Sequence, residues 1–285
     1  MNFGGGGEGA PGLKGLRAQF TTAGSLACRK PHHVPDSPTH LLEPDELPPV
    51  EIVNRRGEAP LLLIGDHGGN SIPQSLGGLG VDPTALDRHI ALDIGVEALG
   101  RALAVRLDAA FVRQRYSRLV IDCNRDPASA EAMPAVSDGT PVPGNAGLTT
   151  EDRQRRIAEI HAPYHAAIAD VLAARPVSTT LVSLHSFTPV MAGVMRPWQI
   201  GVLHDGHNDG FALRLRGWLM QNVGLIIGDN APYRMDATDY TVPRHAFAAA
   251  RPYVELEVRQ DILADAHGAA MVAALLEAGI TAVMA

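Results

Sequence analysis

The sequence predicts an α/β fold of three layers, in which a mixed, mostly parallel sheet is covered by helices on both faces. The unbroken apolar run at residues 61–64 and the mostly apolar run at 181–184 are typical of strands that are buried on both sides. Segments with helical spacing, such as 211–219 and 262–276, alternate with the predicted strands along the chain. This alternation is typical of a parallel sheet whose strands are joined by helices.

The individual elements follow from residue type and spacing, taken in chain order. Short apolar and β-branched runs predict strands at 50–54, 61–64, 110–112, 119–121, 181–184, 200–203, 225–227 and 253–258. Apolar residues at helical spacing predict helices at 83–107, 150–172, 211–219 and 262–276. Thr149 or Thr150 caps the second helix, and Pro163 kinks or restarts it. Residues 126–149, rich in Pro, Gly, Ser and Thr, form a long loop of the kind usually kept for function.

Composition separates a disordered extension at residues 1–48 from a single folded domain at 49–285. The extension contains four consecutive glycines and has no sustained periodicity. The net charge of -7, without a basic stripe, excludes a nucleic-acid footprint. No run of about 18 apolar residues is recognised, so no membrane span is expected. The two cysteines lie in unlike contexts, which argues against a disulfide framework and indicates a cytoplasmic protein.

Two histidines follow predicted strands and should meet at one edge of the sheet. His67 comes three residues after the strand at 61–64, and His185 directly follows the strand at 181–184. Ligands of open α/β sheets bind at the carboxyl ends of strands, and neutral imidazole is a common zinc ligand. The pair predicts half of a metal site, with hydrogen-bonded structural histidines as the alternative.

The last predicted strand carries two carboxylates, Glu255 and Glu257, which point to the same face because side chains alternate along a strand. Buried carboxylates are costly unless they are paired or functional. Metal hydrolases use a carboxylate to accept the proton of the attacking water. Periodicity leaves open which of the two is this base. The other would orient a ligand or pair with Arg259.

Further polar residues suggest a site for a carboxylate. Two arginines, Arg118 and Arg125, stand near the side-chain amide of Asn124. A guanidinium group beside an amide can hold a carboxylate through paired hydrogen bonds, although surface ion pairs would give the same sequence pattern. His161 and His165 are four residues apart and share a helical face, which is weak evidence for a metal without a His-Glu-x-x-His signature. Amphipathic helix positions are the alternative.

Together these motifs resemble the N-formylglutamate amidohydrolase family. The matching segments follow the family order over nearly everything from about Pro49 to the end, and they are 66–73, 116–125, 163–165, 184–186 and 257–261. The resemblance implies a zinc-carboxypeptidase-like fold and the hydrolysis of a linear amide bond. The implied reaction converts N-formyl-L-glutamate to formate and L-glutamate, the last step of one route of histidine degradation.

The resemblance also implies the roles of the site residues. His67 and His185 correspond to zinc ligands, and Glu257, rather than Glu255, corresponds to the general base. Asn124 and Arg125 correspond to the pair that grips the substrate α-carboxylate. Arg118 would be an extra cation for a dicarboxylate. Arg259 completes the motif of the base and is counted with the substrate-binding residues. Either Glu257 or His165 would pass a proton to the leaving amine.

One position departs from the carboxypeptidase pattern, in which a glutamate ligand stands three residues after the first histidine. This chain has Asn70 there, so the third ligand must come from elsewhere, and Asp93 is selected because it lies beside an apolar helical stripe. A helix-terminal charge or a salt bridge to Arg88 is the alternative role of Asp93. Other open readings are a broader N-acyl-amino-acid deacylase or peptidase-like hydrolase, a non-catalytic carboxylate-binding relative, and a divalent metal other than zinc.

Overall fold

The computed structural model describes residues 40–285, and a seven-stranded sheet forms the centre of this part of the chain. The strands are β1 Val50–Val53, β2 Leu61–Gly65, β3 Ala110–Gln114, β4 Thr180–Phe187, β5 Ile200–Leu203, β6 Ile227–Asp229 and β7 Tyr253–Arg259. Their order across the sheet is β1-β3-β2-β4-β7-β5-β6. Only the β1–β3 and β7–β5 pairs are antiparallel. The predicted mixed, mostly parallel sheet is confirmed.

Helices cover both faces of this sheet. The α-helices of the described region are α1 Val96–Arg106, α2 Thr150–Arg156, α3 Ala162–Ala173, α4 Gly210–Asn222 and α5 Ala266–Met284. Helices α1, α4 and α5 pack on one face against strand residues such as Leu63, Leu184 and Leu256. Helix α3 packs on the other face against residues such as Ile64 and Leu181. The predicted three layers are confirmed.

Shorter elements lie in the connections between these helices and strands. The 3₁₀ turns comprise Gln74–Gly80, Pro83–Asp87, Ala130–Ala132, Pro143–Asn145 and Gln260–Leu263, and the π turns comprise Ile157–His161 and Pro243–Phe247. Two small hairpins pair Val136–Ser137 with Thr140–Pro141 and Val190–Met191 with Val194–Met195. The first hairpin lies in the predicted loop at 126–149.

The predicted helix at 83–107 is wrong over its first half, which is mostly irregular. The backbone N–H of Asp93 donates to the carbonyl of His67 at 2.9 Å, outside any helical pattern. Gly95 then has a φ of 82°, a left-handed conformation that suits glycine and sets the start of α1 at Val96. Asp93 is therefore placed by a loop and not by a helical stripe.

The predicted strand at 119–121 is also wrong, although all three residues are buried. The side chain of Asn145 donates to the carbonyl of Leu119 at 2.8 Å, and Arg156 donates to the carbonyl of Val120 at 3.0 Å. These side chains take the place of a neighbouring strand. The helix after Thr149 is confirmed: Thr149 and Asp152 form a capping box, and Pro163 lies in the first turn of α3.

Most of the predicted extension, residues 1–39, lies outside the described residues. Within residues 40–48, Leu41 is buried and its backbone N–H donates to the carboxylate of Glu159 at 2.8 Å. Packing thus begins ahead of the predicted boundary at Pro49, and disorder of the remaining extension stays a prediction.

Helix α5 is long and apolar enough, by length and composition alone, to cross a membrane, with a mean hydropathy of 1.5. It is the one such helix in the described part of the chain. Glu277 interrupts the apolar residues of this segment, so it contains no unbroken apolar run of the length that the sequence analysis required. Val272, Leu276 and Ile280 pack in the core, Glu277 pairs with Arg106 of α1, and 33% of the apolar stretch is buried.

Candidate active site

His67, Asp93 and His185 meet at the carboxyl ends of β2 and β4, and one candidate ligand atom of each lies within 4.8 Å of the others. The Oδ2 atom of Asp93 is 3.3 Å from Nδ1 of His67 and 2.9 Å from Nδ1 of His185. All three side chains are buried. Two imidazoles and a carboxylate form a donor set that zinc and several other divalent metals accept.

The second ring nitrogen of each histidine faces another buried carboxylate. His67 Nε2 is 2.8 Å from Asp122 Oδ1, and His185 Nε2 is 3.3 Å from Asp66 Oδ2. A carboxylate behind a ligating histidine holds the ring in one orientation and tautomer. Asp66 precedes His67 in the sequence but lies behind His185, whereas Asp122 lies behind His67.

The charges of this cluster fit a bound cation. Burial opposes ionisation of Asp93, but the neighbouring His67 and His185 outweigh it and lower the pKa of Asp93 below its ordinary value. The pKa of Asp122 is also held well below its ordinary range, because Arg118 and His67 outweigh burial. Both carboxylates are therefore ionised, one as a potential ligand and one behind a ligand.

Glu255 and Glu257 project from β7 on the face that α3 covers, and both line the cavity at the cluster. The register of β7 and β4 places Glu257 beside His185 and Glu255 beside Ser183. Both glutamates are buried, and the Oε2 atom of each has no hydrogen-bond partner in the described structure. Burial raises the pKa of each to about 8. An uncommitted carboxyl group that titrates near neutrality is suited to proton transfer.

The cavity has a volume of about 690 Å³ and is also lined by Arg118, Asn124 and Arg125. Arg118 is already paired, with Nη2 2.7 Å from Asp122 Oδ2 and Nη1 3.4 Å from Asp93 Oδ1. Asn124 is held by the backbone N–H groups of residues 240 and 241, which donate to its Oδ1. Arg125 Nη1 donates to the carbonyl oxygens of Asn124 at 2.9 Å and Thr238 at 3.2 Å, and its ion pairs are long, 3.7 Å to Asp239 and 3.8 Å to Glu131.

His165 and Arg259, which the sequence assigned to the site, do not line this cavity. His165 lies behind the cavity wall on α3, where its Nε2 is 3.0 Å from the carbonyl of Cys123 and its Nδ1 is 3.0 Å from Nε2 of His245. Arg259 ends β7 two residues beyond Glu257 and pairs with Asp261 at 2.7 Å. Contact with the substrate is therefore not supported for either residue.

The first motif has a structural role besides supplying His67. The side-chain amide of Asn70 donates to the carbonyl of Leu86 at 3.0 Å, which agrees with its exclusion as a ligand. Gly69 has no positive φ, but a Cβ atom there would lie 2.1 Å from the backbone oxygen of Arg115. The glycine is required by close backbone packing.

Sequence reasoning missed Arg234, which lines the cavity. Within residues 40–285 its guanidinium has no hydrogen bond or ion pair, whereas Arg118 and Arg125 both have carboxylate neighbours. Arg234 lies in an irregular segment that follows the cis Ala231–Pro232 peptide bond, where no periodic pattern draws attention to it. Asp122, by contrast, lies inside the motif at 116–125, so the sequence alone could have identified it as a candidate site residue.

Comparisons with known proteins agree with this fold and identify the family. Residues 59–264 match the family model of N-formylglutamate amidohydrolase. A gene product of Agrobacterium tumefaciens is 31% identical, and its crystal structure superposes with a TM-score of 0.82 over 86% of this chain and 98% of that chain. No curated protein shows significant sequence similarity to the chain.

A second similar structure is the N-formylglutamate amidohydrolase from Ralstonia eutropha JMP134. It is 20% identical, with a TM-score of 0.59 over 84% of this chain and 98% of that chain, which supports the fold. The family model spans most of the predicted domain. The chain therefore belongs to the N-formylglutamate amidohydrolase family and is a hydrolase of linear amide bonds.

Proposed function

We propose that this protein hydrolyses the amide bond of an N-acyl amino acid and that N-formyl-L-glutamate is its preferred substrate. The observation that carries this proposal is the uncommitted carboxylate of Glu257, which lies on the strand beside His185 at a cluster of metal-ligand type. Membership of the family supports the same class of reaction. The products would be formate and L-glutamate.

His67, Asp93 and His185 would hold a divalent metal, with zinc the first candidate because of the nitrogen and oxygen donors. When bound, the metal supplies Lewis-acid chemistry that polarises the acyl carbonyl and makes water easier to deprotonate. Asp122 and Asp66 hold the two imidazoles from behind. Iron, cobalt or manganese would suit the same donors.

Glu257 would accept the proton of the attacking water and then pass it to the nitrogen of the leaving amine. Its carboxyl group is available because Oε2 has no hydrogen-bond partner among the described residues. Positive charge at the cluster favours its ionised form before the reaction. Arg118, beside Asp93, would offset negative charge that develops on the carbonyl oxygen.

Asn124 and Arg125 would bind the α-carboxylate, since both line the cavity close to Asp122 and the cluster. The second carboxylate of a glutamyl substrate needs another cation. Arg118 has its charge compensated by Asp122 and Asp93, whereas Arg234 has no ionic partner in the described part of the chain. We therefore assign the side-chain carboxylate to Arg234.

A substrate panel with purified, metal-loaded protein tests the proposal. N-formyl-L-glutamate should give the highest kcat/KM, ahead of N-acetyl- and N-succinyl-L-glutamate and of N-formyl-L-glutamine. Faster turnover of an acetyl or succinyl substrate would support the broader deacylase instead. A protein that binds metal but turns over no member of the panel would reject an amidohydrolase of this class and favour the carboxylate-binding relative.

The biological setting is part of the same proposal. Histidine degradation is inferred from the family resemblance, and a cytoplasmic location is inferred from the low cysteine content. Cys123, the one cysteine within residues 40–285, is buried.

A further inference from the structure

We propose that His161 and His165 are positioning residues that hold the turn at residues 122–125, the cavity wall, from behind. This inference rests on the proposed function, because the turn carries Asn124 and Arg125, the groups assigned to the substrate α-carboxylate. Neither histidine lines the cavity. Both act on backbone carbonyl groups of the turn and through these on its side chains.

The two histidines contact alternate carbonyl groups of the turn. His165 Nε2 lies 3.0 Å from the carbonyl oxygen of Cys123, and His161 Nε2 lies 3.2 Å from that of Arg125. The two carbonyl groups bracket Asn124. Because a carbonyl oxygen only accepts hydrogen bonds, the Nε2 atom of each ring must carry the proton and donate it.

The tautomer of His165 is further held by His245. With the proton of His165 on Nε2, its Nδ1 is an acceptor, and His245 Nε2 lies 3.0 Å away as the donor. The two rings are stacked with an angle of 15° between their planes. Burial lowers the pKa of His165 to about 3 and that of His245 to about 4, so both rings are neutral at ordinary pH.

Helix geometry brings the pair of histidines to the turn. His161 ends the π turn Ile157–His161, and His165 follows one helical turn later on α3, with the ring centroids 4.4 Å apart. Short π segments inside helices are frequent at functional sites. Both rings are almost fully buried, at 3% and 4% exposure, where an unpaired donor would be costly.

The turn also connects substrate binding to the metal-ligand cluster. Asp122, its first residue, faces His67, and Thr241 Oγ1 lies 2.8 Å from Asp66 Oδ1 and 3.2 Å from the carbonyl oxygen of Cys123. A shift of the Cys123 carbonyl would therefore move groups on both sides of the turn. The backbone N–H groups of residues 240 and 241 hold the side chain of Asn124, whereas the two histidines hold the carbonyl groups on either side of it.

The test compares His165→Leu and His161→Leu with His165→Gln, whose amide nitrogen can donate from about the same position. Each leucine variant should raise the KM for N-formyl-L-glutamate by about tenfold, the size expected for a lost buried hydrogen bond, with kcat within about threefold. His165→Gln should bring KM back to within about threefold of wild type. The Kd of L-glutamate, measured by calorimetry, should change in parallel. His267→Leu, at an exposed position of α5, is the matched control.

A general loss of folded protein would lower the apparent kcat and leave KM unchanged, and that result would overturn the positioning role. Should a leucine variant fail to fold, His245→Phe removes only the donor to His165, and KM should still rise by about threefold. An unchanged KM and an unchanged Kd in that variant would also overturn the inference. Turnover by the wild-type protein separately decides the proposed function. A wild type that neither turns over substrate nor binds L-glutamate would reject both.

Discussion

Glu257 lies directly beside His185 in the sheet, because the parallel strands β7 and β4 pair these two residues in register. The alternation of side chains places both on the face covered by α3, and it places Glu255 beside Ser183, two residues earlier. Since ligands of such sheets bind at the carboxyl ends of strands, Glu257 is the carboxylate nearer the reacting groups. This position supports Glu257, and not Glu255, as the base.

The first prediction concerns these two glutamates. Glu257→Gln should lower kcat by about a thousandfold or more while the metal content stays unchanged, because the amide cannot accept the proton of water. Glu255→Gln, the matched control on the same strand, should lower kcat by less than about tenfold. Steady-state kinetics and metal analysis of both variants check this. Equal losses in the two variants would contradict the assignment of a single base.

The second prediction concerns the carboxylate behind His67. Asp122→Asn should weaken metal binding by about 10- to 100-fold, because Asp122 Oδ1 faces His67 Nε2 at 2.8 Å and holds the ring. Competition with a chromogenic chelator measures this affinity without any assay of activity. Asp126→Asn, at an exposed position four residues on, should leave it unchanged. Unaltered metal affinity in Asp122→Asn would show that His67 is oriented by other contacts.

The third prediction concerns the unpaired guanidinium of Arg234. Arg234→Ala should raise the KM for N-formyl-L-glutamate by about tenfold and leave that for N-formyl-L-glutamine within about twofold, since only the former has a side-chain carboxylate. Arg214→Ala, at an exposed position of α4, controls for the loss of a positive charge. An equal effect on both substrates would place Arg234 outside the side-chain subsite.

The sequence indicated the sheet and most of the cluster because strand ends and alternation are local properties. His67, His185 and Glu257 could be placed this way, since each stands on or just after an apolar strand. Asp93 lies in a loop that is held by the hydrogen bond from its backbone N–H to the carbonyl of His67 and that ends at Gly95. The helical spacing of the nearby apolar residues therefore predicted the wrong secondary structure for Asp93. The position of Arg234 at the cavity and the position of His165 behind the cavity wall depend on packing between residues far apart in the sequence. Such packing leaves no periodic pattern in the sequence.

The fourth prediction concerns the backbone next to His67. A Cβ atom at Gly69 would lie 2.1 Å from the backbone oxygen of Arg115, which cannot move as a flexible side chain can. Gly69→Ala should therefore lower the free energy of unfolding by about 2 kcal/mol or more. Gly217→Ala is the control in α4, because a Cβ atom there meets nothing within 4 Å, and it should be neutral or stabilising by up to about 1 kcal/mol. Chemical unfolding of the two variants measures the difference.

The fifth prediction concerns an ion cluster behind the first motif. Glu51 Oε2 lies 2.7 Å from both Arg101 Nη2 and Arg113 Nε, and Arg113 also donates to the carbonyl of Gly68, next to His67. Burial opposes ionisation of Glu51, but the hydrogen bonds from the two arginines outweigh it and lower its pKa from 4.5 to about 2. A lowered pKa stabilises the fold above the ordinary value, and this contribution is lost as the pH falls from 4.5 toward about 2.

Glu51→Gln should thus reduce the free energy of unfolding at pH 7 by about 1–2 kcal/mol, once solvent screening of the partly exposed Arg101 is allowed for. The difference from wild type should shrink steadily as the pH is lowered below 4.5, because Glu51 of the unfolded chain then gains a proton that the ionic contacts of the folded state exclude. Urea unfolding at several pH values between 7 and 3.5 measures this dependence, with the exposed Glu58→Gln as the control. A difference that stays constant over this range would mean that Glu51 stabilises the protein by packing and not by its charge.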